Sequence, residues 1–157
     1  MRSLISVLNE INVRKFLHHL KGPECPGCDD RLKEGHLYIV SWFKAMKLKY
    51  PDMHCSWVYR DRKEQDAAVD RGASHTPWPQ SKHNAEDEHG NPQSQAIDIF
   101  QIIDAKAVFS KTFCTKVWKD TKNHFRIRWG GDWPRLGDYG HFEMGENRLS
   151  DKKELKS

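Results

Sequence analysis

The chain predicts an α+β fold, with helices packed on one side of a small antiparallel sheet. Apolar residues recur at three- to four-residue spacing in several stretches, the period of amphipathic helices. Between them lie short segments rich in aromatic and apolar residues, at least one of which alternates with the period of a half-buried strand. The last two such segments are separated by a Gly/Pro turn. At 157 residues the chain is long enough to bury one core, and no internal repeat or linker divides it. A single domain over 1–145 is therefore expected, followed by a charged tail over 146–157.

The elements follow in order. Leu4, Leu8, Ile11, Phe16, Leu17 and Leu20 predict an amphipathic helix from about residue 3 to 20, ended by Gly22-Pro23. A second helix is expected from Leu37 to Lys49, stopping before Pro51, and a short strand from Met53 to Tyr59. Asp61 fits the N-cap of a third helix, with Glu64 at the capping-box position and Gly72 closing it. From Ala73 to Ser94 the prolines at 77, 79 and 92 and the residues Asn84, Asp87, Gly90 and Asn91 predict a long loop, a type of segment that often carries function. Gln95 to Ile102 alternates, placing Ala96, Asp98 and Phe100 on one face and Ile97 and Ile99 on the other. Phe109, Phe113 and Val117 predict a helix over 105–122. Two strands, 125–129 and 139–144, close the sheet.

Composition sets further bounds. No apolar run approaches the ~18 residues of a membrane span, so no membrane insertion is expected. The first ten residues are interrupted by polar side chains and are expected to be a mature N-terminus, not a secretion signal. The formal charge of +4 is compatible with an anionic polymer, but Lys and Arg are scattered and no basic-aromatic stripe argues for nucleic acid. Cys25-Pro26-Gly27-Cys28 is one C-x-x-C without a second pair. It is expected to be a turn with reduced thiols, the alternative being a structural zinc site completed by His18, His19 or His36. Cys55 and Cys114 are expected to be small core residues. A monomer is expected.

The residues that carry chemistry are His83, Asp98 and His141, with Asp138 three positions before the last His. Two imidazoles and a carboxylate are the donor set of a catalytic zinc site, which leaves a fourth position open for water. Asp98, an aspartate among apolar strand neighbours, is costly to bury unless paired or metal-bound. Asp138 is placed to act as a base. Zinc-dependent hydrolysis of an amide bond is the chemistry this set suits. His141 lies on a strand that also carries Tyr139 and Glu143, and Glu143 is expected to be an ion-paired strand residue. His89 is the rival first ligand. His18, His19, His36, His54, His75 and His124 carry no spacing signal and are expected at the surface. The tryptophans at 42, 57, 118, 129 and 133 are expected in the core, whereas Trp78, flanked by prolines, is a candidate for a substrate groove.

These motifs resemble the zinc-dependent peptidoglycan peptidases of the VanY/VanX-like M15 class, in particular phage endolysins that act as L-alanyl-D-glutamate peptidases. The resemblance runs through Ser56-Trp57-Val58-Tyr59-Arg60, Gln65, Ser81-x-His83, Ala96-x-Asp98, Trp129-Gly130-Gly131-Asp132-Trp133 and Asp138-x-x-His141-Phe142-Glu143. It implies the Hedgehog/D,D-peptidase-like fold, with zinc held by His83, Asp98 and His141 in a groove on the sheet's exposed face. It implies Asp138 as general base and Arg60 as the cation that contacts the carbonyl or oxyanion, and Ser81 is expected to bind substrate or orient the ligand loop. The implied partner is the stem peptide of peptidoglycan, cut between L-Ala and D-Glu for host lysis. The enzyme would wait in the bacterial cytoplasm until released through a holin pore. The alternatives are a D,D- or L,D-carboxypeptidase of the same fold and a non-catalytic wall-binding zinc module. Two departures stand out: His83 and Asp98 are separated by the insertion Ala85 to Gln93, about eight residues beyond the family's usual spacing. Gly140 also stands where the family usually has Pro.

Overall fold

The computed structural model describes residues 27–145 apart from 124 and 136; the expected helix over 3–20 and the tail lie outside that range. Five strands form one antiparallel sheet: β1 (Met53–Trp57), β2 (Ala96–Ile103), β3 (Lys106–Val108), β4 (Ile127–Trp129) and β5 (His141–Met144). The order is β1-β2-β5-β4, with β3 paired to the far end of β2. Among the described residues four α-helices accompany it: α1 (Cys28–Leu32), α2 (Leu37–Lys49), α3 (Arg62–Asp70) and α4 (Lys111–Thr121). The predicted α+β architecture is observed.

The two faces of the sheet have different neighbours. Ile97, Ile99 and Phe142 join Trp42, Phe43, Met46, Phe113 and Val117 in a buried cluster, so α2 and α4 cover this face. Trp42 stacks on Phe142 with ring centroids 4.8 Å apart, and its indole N–H donates to Thr121 Oγ1 at 3.0 Å, tying the two helices together. Alternation then sends Asp98, His141 and Glu143 to the other face. On that face Arg60 reaches Asp98, and the Lys82–Asn84 turn brings His83 against Asp98 and His141.

Several local expectations are met closely. Helix α2 spans the residues anticipated from sequence. Helix α3 begins with a full capping box: Asp61 Oδ1 accepts from Glu64 N at 2.8 Å, and Glu64 Oε2 accepts from Asp61 N at 3.0 Å. Gly72, at φ 72°, follows its end in the left-handed conformation that glycine tolerates best.

The helix expected over 105–122 is shorter. Asp104 and Ala105 both take positive φ, 47° and 60°, a two-residue turn that pairs Ile103 with Lys106. Strand β3 occupies the first part of the expected helix. The helix starts only where Ser110 caps it by accepting from Phe113 N at 3.2 Å. Phe109 is therefore not a helical core residue. It is 70% exposed and leans on Phe100, centroids 5.5 Å apart.

The cysteines divide. Cys28 is disulfide-bonded, which corrects the expectation of reduced thiols at that position; its partner lies outside the described residues. Cys55 and Cys114 are free and buried, and burial pushes their thiols up to about 11 and about 12, as inert core residues. Among the described residues no helix is long and apolar enough to cross a membrane.

Candidate metal centre

The register of β2 on β5 makes Asp98 and His141 direct cross-strand partners, which puts their side chains on one face within reach of each other. His83 arrives from a different part of the chain. It sits in a 3-10 turn (Lys82–Asn84) capped by Ser81, whose hydroxyl accepts from His83 N at 3.2 Å. The turn is fastened from below: Arg60 N donates to His83 O at 3.1 Å, and Asn84 Nδ2 donates to Arg60 O at 2.9 Å. Gln65, fully buried, holds the preceding loop through Thr76 O at 2.6 Å. Asn84, which the sequence offers only as a loop residue, locks this arrangement. Its signal was present as the residue three after the capping Ser81.

The insertion does not carry His83 away. Gln93 N donates to Ala85 O at 2.8 Å and Gln95 N to Lys82 O at 2.9 Å, so residues 85–93 leave and return at one place. Within the excursion Glu86 pairs with Pro92, and Asp87 Oδ1 accepts from the backbone N–H of His89 and Asn91 at 2.8 and 2.9 Å. His89 lies in the exposed tip beside Glu88, outside the cluster.

His83, Asp98 and His141 each offer a ligand atom, all within 4.8 Å of one another. His83 Nε2 and His141 Nδ1 are 3.2 Å apart, and Asp98 Oδ1 lies 3.2 Å from the first and 2.9 Å from the second. The outward nitrogens are engaged elsewhere. His83 Nδ1 is 2.6 Å from Val58 O, an acceptor only, so that nitrogen carries the proton. His141 Nε2 is 3.1 Å from Glu143 Oε2, and Glu143 Oε1 is 3.2 Å from Arg128. Two imidazole lone pairs and a carboxylate oxygen thus converge on one point. Three acceptors facing each other call for a cation, and the donor set of two nitrogens and one oxygen fits a divalent metal with an open position.

Charge in the cluster follows from this packing. Burial opposes ionisation of Asp98, but His83 and His141 outweigh it and hold the carboxyl well below its usual range. Burial likewise disfavours charge on His141, yet its hydrogen bonds to Asp98 and Glu143 raise it to about 9. Without a metal, a proton on His141 balances the carboxylates, and metal binding must displace it.

Arg60, 8% exposed, lies 5.3 Å over the Trp57 ring and gives its guanidinium to Asp98 Oδ2 at 2.6 Å. By occupying Oδ2 it leaves Oδ1 for the two imidazoles. The sequence aims Arg60 at the substrate; among the described residues its guanidinium partner is the Asp98 carboxylate. Asp138 is brought to the rim of the cluster. Its residue is exposed, open to an incoming substrate, yet protein on its inner side and the nearby Asp98 charge raise its carboxyl above the usual value. Among the described residues no donor is hydrogen-bonded to that carboxylate. Trp133, expected in the core, is half-buried with its ring 5.1 Å from His141, an aromatic wall that the Trp129–Trp133 motif supplies. Trp78 is half-buried in the loop leading to Ser81. His36 caps α2 by accepting from Tyr38 N at 3.1 Å, and His54 is half-buried against Phe100, so neither is a bare surface histidine.

No protein-family model matches the chain, and no curated protein matches it by sequence. Among solved structures it is similar to the crystal structure of the Serratia marcescens L-Ala D-Glu endopeptidase ChiX, with a TM-score of 0.59 and 20% identity over 80% of this chain and 89% of that one. The two share a fold. At this identity the likeness speaks for the architecture, and the chemistry rests on the residues described above.

Proposed function

We propose that the chain is a zinc-dependent peptidoglycan peptidase that cuts within the stem peptide, at the L-Ala–D-Glu bond, and serves as an endolysin. The observation that carries the reading is the convergence of His83 Nε2, His141 Nδ1 and Asp98 Oδ1 on one point, each fixed from behind, with Asp138 at the rim. The fold shared with a protein described as an L-Ala D-Glu endopeptidase supports the substrate class.

Two imidazoles and one carboxylate suit zinc. Bound there, zinc would polarise the scissile carbonyl and make an attacking water acidic near neutral pH. The chain supplies the rest. Asp138 takes a proton from the attacking water as the new C–O bond forms, and hands it to the leaving amine as the C–N bond breaks. A carboxyl raised above its ordinary value is a stronger base for that transfer. Arg60, donating to Asp98 Oδ2 at 2.6 Å, orients that carboxylate, and its permanent charge favours the developing oxyanion. Ser81 orients the ligand turn, and Trp133, with Trp78 in the separate loop that leads to Ser81, offers apolar surface to the peptide.

An endopeptidase is favoured over a carboxypeptidase for one reason. Holding a free terminal carboxylate needs a dedicated cation or a nest of backbone N–H groups, and Arg60, the basic residue that the motifs bring to the site, is already claimed by Asp98 and the oxyanion. Mass spectrometry of purified peptidoglycan digested to completion tests the bond. Stem fragments beginning with D-Glu are expected, with L-Ala left on the muramyl side; free D-Ala as sole product would make the carboxypeptidase the correct reading.

A further inference from the structure

Glu143 is used by nothing in the mechanism above, yet it is buried, 6% exposed, in contact with a metal-ligand candidate. We infer that Glu143 is a positioning residue which, braced by Arg128, fixes His141 with Nε2–H pointing outward and the Nδ1 lone pair aimed at the metal. The inference rests on the zinc-peptidase reading and deepens it.

The geometry comes from the sheet. His141 and Glu143 are two apart on β5 and share a face. Glu143 is flanked across the sheet by Ala96 on one side and Arg128 on the other. Ala96 is small and fully buried, so the Glu143 side chain meets no bulky neighbour on the β2 side. Arg128 binds Glu143 Oε1 at 3.2 Å, which leaves Oε2 for His141 Nε2 at 3.1 Å. A carboxylate oxygen accepts hydrogen bonds and cannot donate them, so it selects the Nε2–H form of the ring. That choice matters because His141 uses the nitrogen nearer its backbone. In the opposite tautomer Nδ1 would carry the proton, pointing at Asp98 and His83, and could not serve as a ligand. The partner of His83, Val58 O, does the same work for the opposite nitrogen. The two imidazoles thus present unlike nitrogens to one point, each held by an acceptor of a different kind. A purely structural Glu143–Arg128 pair would need no contact with His141 at all.

Zinc affinity, measured by competition between metal-free protein and a chromophoric chelator, tests this on wild type, Glu143→Ala and Glu143→Gln. Ring-nitrogen NMR of the same metal-free proteins above about pH 9, where the His141 ring is neutral, reads its tautomer directly. Glu143→Ala is expected to weaken zinc binding by about 10- to 100-fold, the usual loss for an outer partner of a ligating histidine, and to end the dominance of the Nε2–H form. Glu143→Gln, whose amide oxygen still accepts from Nε2–H, should lose less. It also keeps the test decisive if the alanine variant folds poorly. Wild-type zinc affinity and an unchanged tautomer in a folded Glu143 variant would overturn the assignment. Failure of the underlying reading looks different: the wild-type protein itself would bind no zinc.

Discussion

Gly130→Ala should cripple the site without replacing any residue that performs chemistry. A Cβ built at Gly130 lies 2.5 Å from the backbone oxygen of Asp138, and 3.1 Å from the Cβ atoms of both Asp138 and His141. The first contact is with backbone, which cannot rotate away. Restoring an ordinary separation of 3.4 Å requires a retreat of about 0.9 Å. The same oxygen accepts from His141 N at 3.2 Å, so the displacement reaches the base and the ligand together. A misplacement of about 1 Å at a reacting centre costs on the order of 100-fold in rate, and overpacking a tight site costs about 1–3 kcal/mol of stability. Steady-state release of soluble peptides from peptidoglycan, read beside a thermal melt of the same sample, separates the two effects. The expected result is a variant still folded at the assay temperature with turnover down by about two orders of magnitude. Full activity, or a loss no larger than the unfolded fraction, would refute the claim that this glycine sets the placement of Asp138.

Asp138→Asn should keep the fold and the metal but lose turnover by ~100-fold or more, the scale of a general base; a fully active variant would remove Asp138 from that role. His83→Ala should lose both metal and activity, whereas His89→Ala, changed in an exposed loop tip, should keep both; the reverse would mean that the insertion supplies the ligand. Tyr50 is raised to about 12 by burial and by its hydrogen bond to Asp120. A folded-state value above the unfolded one favours folding below about pH 10, and that contribution is lost as pH rises from there towards 12. Denaturant midpoints should therefore fall in this window, and Tyr50→Phe should flatten the slope; an identical slope in the variant would contradict this cause.

The sequence was most legible where local chemistry decides. Helix α2 and the Asp61/Glu64 capping box follow from apolar spacing, a proline stop and side-chain caps, none of which needs tertiary context. The stretch 105–122 misled because Phe109, Phe113 and Val117 share a helical period, while the turn at Asp104 and Ala105 uses positive φ without a glycine to announce it. Ser110, a good N-cap residue, was the overlooked marker of the true start. For the site, residue types and motif order bring His83, Asp98, His141 and Asp138 forward, and the structure sets ligand atoms of the first three within 4.8 Å of one another. What no pattern could show was how each is held. The register that sets Asp98 opposite His141 is a pairing between distant segments. The acceptor behind His83 is a backbone carbonyl, identical in every residue. Glu143 read as an ion-paired strand residue and is one, through Arg128, but its second oxygen faces His141. Arg60 reads as a substrate contact, and no local pattern announces that it also binds Asp98, 38 positions away.

The central claim is that His83, Asp98 and His141 hold a catalytic metal, and metal analysis of protein purified without added zinc tests it most directly. The account predicts close to one zinc per chain in the wild type and a sharp fall in His141→Ala. A folded wild-type protein that carries no zinc and takes up none when it is supplied would contradict it.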